Sequence, residues 1–185
     1  NGYCPGQVMS LETLKNYISI MKKIIDEYKT DYLVLGSHWV TDNCSHIYAL
    51  DIDNTKLLSK YIDQTIDGMN SKLFSFLAHP DLFMASYRKW DDLSKSYLKA
   101  ILDAAIDLNM PLEINGLGLK RPQIQTNIGT RYQYPFKEFW EMVADSKVKV
   151  ICNSDAHSPK DILENIKLAQ KFAEELNLKP INSIF

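Results

Sequence analysis

Imidazole and carboxylate side chains recur at three places in this chain, each directly after a short apolar run that is typical of a buried strand. The three places are residues 36–38 (Gly-Ser-His), 78–81 (Ala-His-Pro-Asp) and 154–157 (Ser-Asp-Ala-His). In α/β proteins with parallel strands, the carboxyl ends of the strands meet at one edge of the sheet, where chemistry gathers. Histidine nitrogen and aspartate oxygen together suit Zn²⁺, Mn²⁺ or Fe²⁺. The three segments therefore predict part of a metal site.

Each of these residues also has a structural interpretation. Asp155 and His157 are two residues apart, so on extended backbone they point the same way, but the pair would equally fit a helix-entry loop. Taken singly, His38 and His79 are more typical of structural strand-end histidines. The functional interpretation depends on their occurring together. Three of the four predicted strands end in His or Asp-x-His, although the chain contains only four histidines. The fourth, His46, lies in a polar segment, where we expect it to be exposed or to face a substrate.

Further polar groups follow on the remaining predicted strand and in the loop after it. Glu113 and Asn115 lie on one side of that strand by alternation, where they would hydrogen-bond the site or contact a substrate. For Glu113 the alternative is an ion pair with a basic neighbour between helix and sheet. Arg121 and Arg131 lie in the loop, and the planar guanidinium group suits phosphate. The alternative for either arginine is ordinary solvated charge.

The apolar periodicity predicts one helix followed by four strand–helix units. The predicted strands are residues 31–36, 73–78, 111–115 and 148–152. The first helix is predicted to begin after an N-cap at Ser10, and the last after an N-cap at Ser158, with Pro159 at its first position. Strict alternation predicts an α/β fold with parallel strands and helical crossovers, in either a barrel or a doubly wound sheet. The composition changes nowhere along residues 1–185, which predicts a single domain.

Composition limits the class of protein. The chain has 185 residues, of which 45% are hydrophobic and 24% charged, with a net charge of -2, as in ordinary globular domains with one core. It has no Lys/Arg-rich stretch, which argues against nucleic acid or an anionic membrane as a partner. Its apolar runs are too short to span a bilayer. Three scattered cysteines (Cys4, Cys44 and Cys152) and no visible signal peptide indicate a cytoplasmic protein.

In their order and spacing, residues 36–38, 78–82, 112–115 and 154–159 resemble the successive motifs of the PHP (polymerase and histidinol phosphatase) superfamily, most closely its histidinol-phosphatase branch. The resemblance extends over nearly the whole chain, and the Ser-Asp-Ala-His segment is its most specific part. It implies a distorted (β/α)₇ TIM-like barrel, of which this chain would be the C-terminal part, with two or three divalent metal ions at the C-terminal face. It also implies a metal-dependent phosphatase that acts on histidinol phosphate in histidine biosynthesis.

The resemblance assigns a role to each matching residue. His38 and His79 would bind the second metal ion, Asp155 the first and His157 the third. Asp155 and His157 would then lie at the catalytic centre, where a metal-activated water attacks a phosphate monoester. The residues that would bind the substrate are Arg131, Arg121 and Asn115.

The chain also departs from the superfamily, whose domain begins with a His-x-His strand and continues to a further His and a metal-bridging Glu. No histidine precedes His38 in this sequence. We therefore expect an N-terminally incomplete PHP-like domain, either part of a longer product or a shortened copy, with weak metal binding and little activity by itself. The alternatives are another PHP-type phosphoesterase acting on nucleotides or small phosphates, and a non-catalytic barrel remnant. The sequence is compatible with an oligomer.

Overall fold

The computed structural model describes residues 11–42 and 45–184, without the side chains of residues 11–18 and Ile24. The predicted N-cap Ser10, together with Cys4 and Cys44, lies outside the described residues. Cys152 lies on a strand and carries a free thiol. Within the part of the chain that is described, no helix has both the length and the apolar character needed to cross a membrane.

The described chain alternates between helices and short strands. The α-helices are α1 (Leu11–Tyr28), α2 (Thr55–Asn70), α3 (Asp92–Asp107), α4 (Gly116–Lys120), α5 (Lys137–Ala144) and α6 (Asp161–Glu175). The strands are β1 (Val34–Gly36), β2 (Trp39–Asp42), β3 (Ser45–Tyr48), β4 (Phe76–Ala78), β5 (Leu112–Asn115), β6 (Ile124–Thr126), β7 (Gly129–Arg131) and β8 (Val150–Asn153). Two 3₁₀ helices span Ala49–Asp51 and Leu82–Ala85.

Four of the strands form one parallel sheet in the order β1-β4-β5-β8. The register places Leu35 beside Leu77, Leu77 beside Leu112 and Leu112 beside Val150. The strands therefore pair in the order in which they occur along the chain, and α2, α3 and α5 lie in the crossovers between them. The predicted α/β class, with parallel strands and helical crossovers, is confirmed.

The two faces of this sheet differ because successive strand residues point to opposite sides. Leu77, Leu112 and Ile114 are fully buried in the apolar core, which the inward faces of the helices complete. Glu113 and Asn115 alternate with these residues and lie on the opposite face. That opposite face carries the polar groups of the candidate site.

Capping groups explain where the two long crossover helices begin. The side chain of Asn54 accepts a hydrogen bond from the backbone N–H of Leu57, which fixes the start of α2. Asp91 and Ser94 form a reciprocal capping box at the start of α3. These local hydrogen bonds set the first residues of both helices.

Two antiparallel hairpins extend from the strand ends, and neither was predicted. Strands β2 and β3 follow His38 and place Trp39 opposite Tyr48, while β6 and β7 lie in the long loop after β5. His46 therefore lies on a strand rather than in a loop, although it is exposed as predicted, with its Nδ1 3.1 Å from the hydroxyl of Thr41. Strands of three or four residues are too short to show a clear period of two.

The last helix begins later than the sequence indicates. Helix α6 starts at Asp161 with Lys160 before it, so the predicted N-cap Ser158 and first residue Pro159 are wrong. The Ser158 hydroxyl instead donates to the Asp161 carboxylate at 2.7 Å, and the Asp161 N–H donates to the Ser158 carbonyl. These two bonds form a turn ahead of the helix.

Candidate functional site

A cavity of about 390 Å³ lies at the carboxyl ends of the parallel strands. Its lining residues come from all four strands or from the residues that follow them directly. They are Val34, Gly36, His38, Ala78, His79, Glu113, Asn153 and Asp155. Three of the residues proposed as metal ligands, His38, His79 and Asp155, therefore face the same space.

His79 directly follows β4 and adopts a left-handed backbone conformation, with φ of 31°. Its side chain is only 4% exposed, and burial, followed by the neighbouring His38, lowers its pKa to about 4. The imidazole is therefore neutral at pH 7. Its Nδ1 atom is buried and has no hydrogen-bond partner. A neutral imidazole with an unpartnered nitrogen is the form that binds a metal ion.

Gly36 allows the ring of His38 to fold back over the end of β1. A Cβ atom at position 36 would lie 2.8 Å from Cε1 of His38, which is closer than such atoms approach. The ring centroids of His38 and His79 are 4.7 Å apart in an edge-on arrangement. A side chain at position 36 would thus displace His38 from its neighbour.

Glu113 provides a buried carboxylate at the floor of the cavity and is 1% exposed. Its Oε2 accepts hydrogen bonds from the backbone N–H of His79 and from Nδ2 of Asn115, both at 2.9 Å. Its Oε1 accepts from Nδ2 of Asn153 at 2.7 Å. Burial raises the pKa of Glu113, and these three hydrogen bonds oppose the effect. The partners of this carboxylate are therefore amides rather than the basic side chain considered as an alternative.

Asn115 connects Glu113 to Asp155. Its Nδ2 also donates to Oδ2 of Asp155 at 3.1 Å, and its Oδ1 accepts from the backbone N–H of Gly118 at the start of α4. Asp155 has φ of 46°, so two non-glycine residues of the site, His79 and Asp155, adopt left-handed backbone. Such strained residues cluster at functional sites and persist only where surrounding contacts hold them. Here one hydrogen-bond network holds both.

None of the other residues assigned by the resemblance is among those that line the cavity. His157 is exposed, and its Nδ1 is 3.0 Å from the Asp155 carbonyl oxygen. Asn115, assigned to the substrate, is buried within the network instead. The guanidinium of Arg121 lies 5.8 Å from the ring centroid of Tyr134, which adjoins His79.

Arg131 is occupied by contacts with the backbone. Its guanidinium donates to the carbonyl oxygens of Tyr132, Gln133 and Met84 at 2.7, 3.1 and 2.8 Å. It also lies 4.2 Å from the ring centroid of Phe136. In this arrangement Arg131 joins the end of β7 to the 3₁₀ helix that follows β4.

The sequence did not predict two residues of the site, Tyr134 beside His79 and Asn153 beside Glu113. Tyr134 is buried with its ring centroid 6.0 Å from that of His79, and burial raises its pKa to about 12. Gly118 makes room for Tyr134, because a Cβ at position 118 would collide with the tyrosine ring. No local pattern signals this contact, whereas alternation along β8 could have placed Asn153 on the same side as Asp155.

Asp81 anchors the segment that carries Tyr134. It is buried, and its Oδ2 accepts hydrogen bonds from the backbone N–H of Phe136 and from the indole of Trp140. Burial raises the pKa of Asp81 to about 6, although these donors and Arg131 act in the opposite direction. Asp81 does not line the cavity, so this anchor is structural and does not depend on a metal ion.

The donor chemistry fits a divalent cation in part. His38, His79 and Asp155 offer two imidazoles and a carboxylate to one cavity, and the orphaned Nδ1 of His79 lacks any protein partner. Among the described residues, however, no group of three or more His, Cys, Asp or Glu side chains is close enough to hold a metal ion. The cavity therefore presents suitable ligands without a closed coordination cage.

Fold and site together define an α/β protein with a parallel sheet and a polar, histidine-containing cavity at its strand ends. Compared with known proteins, the chain matches no family model and no curated protein. Its functional interpretation therefore depends on its own residues.

Proposed function

We propose that this chain belongs to a metal-dependent phosphomonoester hydrolase of the PHP type, with histidinol phosphate as the substrate. The observation that carries the proposal is the convergence of His38, His79 and Asp155 on one cavity, with Nδ1 of His79 buried and unpartnered. The resemblance assigns these same residues as ligands. The free thiol of Cys152 agrees with the cytoplasm as the proposed location.

The order of the strands supports a barrel rather than a doubly wound sheet. A doubly wound sheet reverses its strand order at a switch point, where its ligand binds. Here β1, β4, β5 and β8 follow one another without reversal, as neighbouring strands of a barrel do. We therefore propose that they form the C-terminal part of a distorted (β/α)₇ barrel, whose C-terminal face carries the site.

The proposal gives a part to several residues in and near the cavity. Bound divalent ions (Zn²⁺, Mn²⁺ or Fe²⁺, two or three in number) would supply Lewis-acid stabilisation and an acidified water. His79 offers a neutral imidazole, and Glu113 fixes it by accepting its backbone N–H. Asn115 orients the carboxylate of Asp155. Arg121, which lies beside Tyr134, would pair with the phosphate.

A non-catalytic binding function is the second candidate. It is favoured by the finding that the described residues contain no three-ligand group of the kind that holds a metal ion. In that case His38, His79 and Asp155 would contact a small ligand directly. The two candidates differ in whether a divalent ion binds.

Metal titration of the purified chain tests the proposal. We expect Mn²⁺ or Zn²⁺ to bind by calorimetry, and His79→Gln and Asp155→Asn each to weaken binding about tenfold or more. His46→Gln, a histidine exposed on the hairpin, should bind as the native chain does. Binding that is lost equally in all three variants, or absent from the native chain at millimolar metal, contradicts the proposal.

Phosphate release provides the second measurement. The chain, produced with any reading frame that precedes it in its gene, should release phosphate from histidinol phosphate only when metal is present. Asp155→Asn should lower that rate at least a hundredfold. Metal-dependent cleavage of nucleotides without release from histidinol phosphate would instead favour another PHP-type phosphoesterase.

A further inference from the structure

A second cavity, of about 370 Å³, lies at the amino ends of β4 and β5, opposite to the cavity at their carboxyl ends. Helices α2 and α3 both end beside it, and the chain then enters β4 through Phe74 and Ser75 and β5 through Met110. Lys72 and Asn109 lead the chain out of these helices in left-handed backbone, with φ of 58° and 50°. The ends of two separate helices therefore form one cavity, which we call the amino-end cavity.

The floor of the amino-end cavity is apolar. Met69 and Met110 are buried there, and the half-buried side chains of Phe74 and Leu108 complete the apolar part of the lining. Methionine is flexible and polarizable, so such a floor can adapt to apolar groups of different shape. A small ligand would gain binding free energy by burying an apolar side chain against it.

The mouth of the amino-end cavity carries one charge of each sign. Lys72 is the cationic residue of the lining and Asp107 is the anionic one, and both are exposed. Neither side chain has an ion-pair or hydrogen-bond partner within the part of the chain that the structure describes. By contrast, Asp103, one turn earlier on α3, pairs with Lys99 at 2.7 Å. The C-terminus of α3 adds partial negative charge beside Asp107, which favours an ammonium group there.

We propose that the amino-end cavity binds a free α-amino acid with an apolar side chain. The carboxylate of this ligand pairs with Lys72, its ammonium group pairs with Asp107, and its side chain lies on the methionine floor. A zwitterion fits because it supplies a partner to both charges, whereas a simple anion or cation would leave one of them without a partner. The volume is within the range of small-molecule sites.

Other groups around the mouth agree with a polar ligand head. The hydroxyl of Ser75 and the amide of Asn109 line the same cavity and make no side-chain hydrogen bond to the described residues. Both can donate or accept a hydrogen bond. No residue lines both cavities, so this site is independent of the proposed phosphatase.

Titration of the isotope-labelled native chain with L-leucine, followed by NMR, tests the proposal. We expect a dissociation constant on the order of 1 mM, with shift changes concentrated at residues 69–75 and 107–110. L-Leucinamide lacks the carboxylate and 4-methylpentanoate lacks the ammonium group, so each should bind about 3- to 10-fold more weakly. Glycine lacks the apolar side chain and should bind about tenfold more weakly.

Substitutions at the mouth separate binding from folding. Glycine adopts left-handed backbone more readily than lysine, so Lys72→Gly should be at least as stable as the native chain in urea. The same variant should bind L-leucine about 3- to 10-fold more weakly, as should Asp107→Asn. Lys56→Gln, which removes an exposed charge at the other end of α2, should bind L-leucine as the native chain does.

Several results would overturn the proposal. No binding of L-leucine at roughly twenty times the expected dissociation constant excludes the site. Equal binding of L-leucine, L-leucinamide and 4-methylpentanoate excludes recognition of a zwitterion. Native-like binding by Lys72→Gly and Asp107→Asn, or shift changes confined to the cavity of His38 and His79, excludes this location. None of these measurements depends on a metal ion or on phosphate release, so the proposed function is tested separately.

Discussion

At the scale of single residues, Glu113 accepts three hydrogen bonds, and one of them holds the backbone N–H of the strained residue His79. The N–H of His79 is fixed in a left-handed turn by Oε2, while Asn115 extends the same network to Asp155. A carboxylate is the side chain suited to this position, because it accepts on both oxygens and donates on neither. The two accepting oxygens of the Glu113 carboxylate thus set the geometry of the site.

Replacing Glu113 by glutamine tests this role. An amide has one acceptor oxygen, so its NH₂ group would face a donor on either side. Asn153 cannot turn its own amide to compensate, because its Oδ1 accepts from the backbone N–H of Ser154 at 2.8 Å. We expect Glu113→Gln to lower the free energy of unfolding by about 1–3 kcal/mol in urea and to weaken metal binding. Glu141→Gln, which removes an exposed partner of Lys137, should leave both quantities nearly unchanged. Native-like stability of Glu113→Gln would contradict the assigned role.

The buried imidazole of His79 predicts a pH dependence of stability. Its pKa falls from 6.5 to about 4 on folding, so the unfolded chain binds more protons between these values. The stability contributed by His79 should therefore decrease as the pH falls through this window, by about 2 kcal/mol at pH 5 and on the order of 3 kcal/mol below pH 4.

Comparison with His79→Gln isolates this contribution. The raised pKa of Asp81 acts in the opposite direction, because the folded chain then holds the extra proton, and it is common to both proteins. Urea unfolding at pH 7.5 and pH 5 should show a larger loss for the native chain than for His79→Gln. Equal losses in the two proteins would show that His79 is not held neutral by the fold.

At the scale of elements, the segment between β7 and α5 is held by long-range contacts to the end of β4. Asp81 accepts from Phe136 and Trp140, while Arg131 donates to the carbonyl of Met84. These contacts place Tyr134 against His79. The loop that carries Arg121 and Arg131 thus also holds Tyr134 against His79, beside the cavity.

The two arginines of this loop should therefore respond differently to substitution. Arg131→Gln removes hydrogen bonds to three carbonyl oxygens, and we expect a loss of about 2–3 kcal/mol in the free energy of unfolding. Arg121→Gln should cost less stability and weaken the binding of phosphate esters more. Chemical denaturation and calorimetry on both variants measure the difference. A stable Arg131→Gln protein that binds phosphate poorly would instead support the substrate role that the resemblance assigns to Arg131.

At the scale of the whole molecule, the sheet separates an apolar layer from a polar one. The apolar residues of β4 and β5 face the helices, while Glu113 and the strand-end groups face the cavity. Because the four strands follow in chain order, their carboxyl ends lie side by side along one edge. This arrangement brings residues from positions 38, 79 and 155 into one space without any local contact between them.

The sequence by itself determined the α/β alternation, the parallel strands and the carboxyl ends of those strands. The predicted ends at residues 36, 78 and 115 coincide with the structure, and the fourth differs by one residue. The predicted starts are one to three residues early, because a glycine or polar residue marks where a strand ends, whereas its start depends on a partner strand. Periodicity and strand-end chemistry are local properties, so the sequence could place His38, His79 and Asp155 together.

Only the tertiary structure decided how these residues are held and what surrounds them. The bond from His79 to Glu113 spans 34 residues, that from Asn153 to Glu113 spans 40, and that from Arg131 to Met84 spans 47. The contacts of Tyr134 with His79 and of Tyr48 with Trp39 likewise arise from the packing of separate segments. No local period encodes such pairs, because the hydrogen-bonding and stacking partners are chosen by the three-dimensional path of the chain.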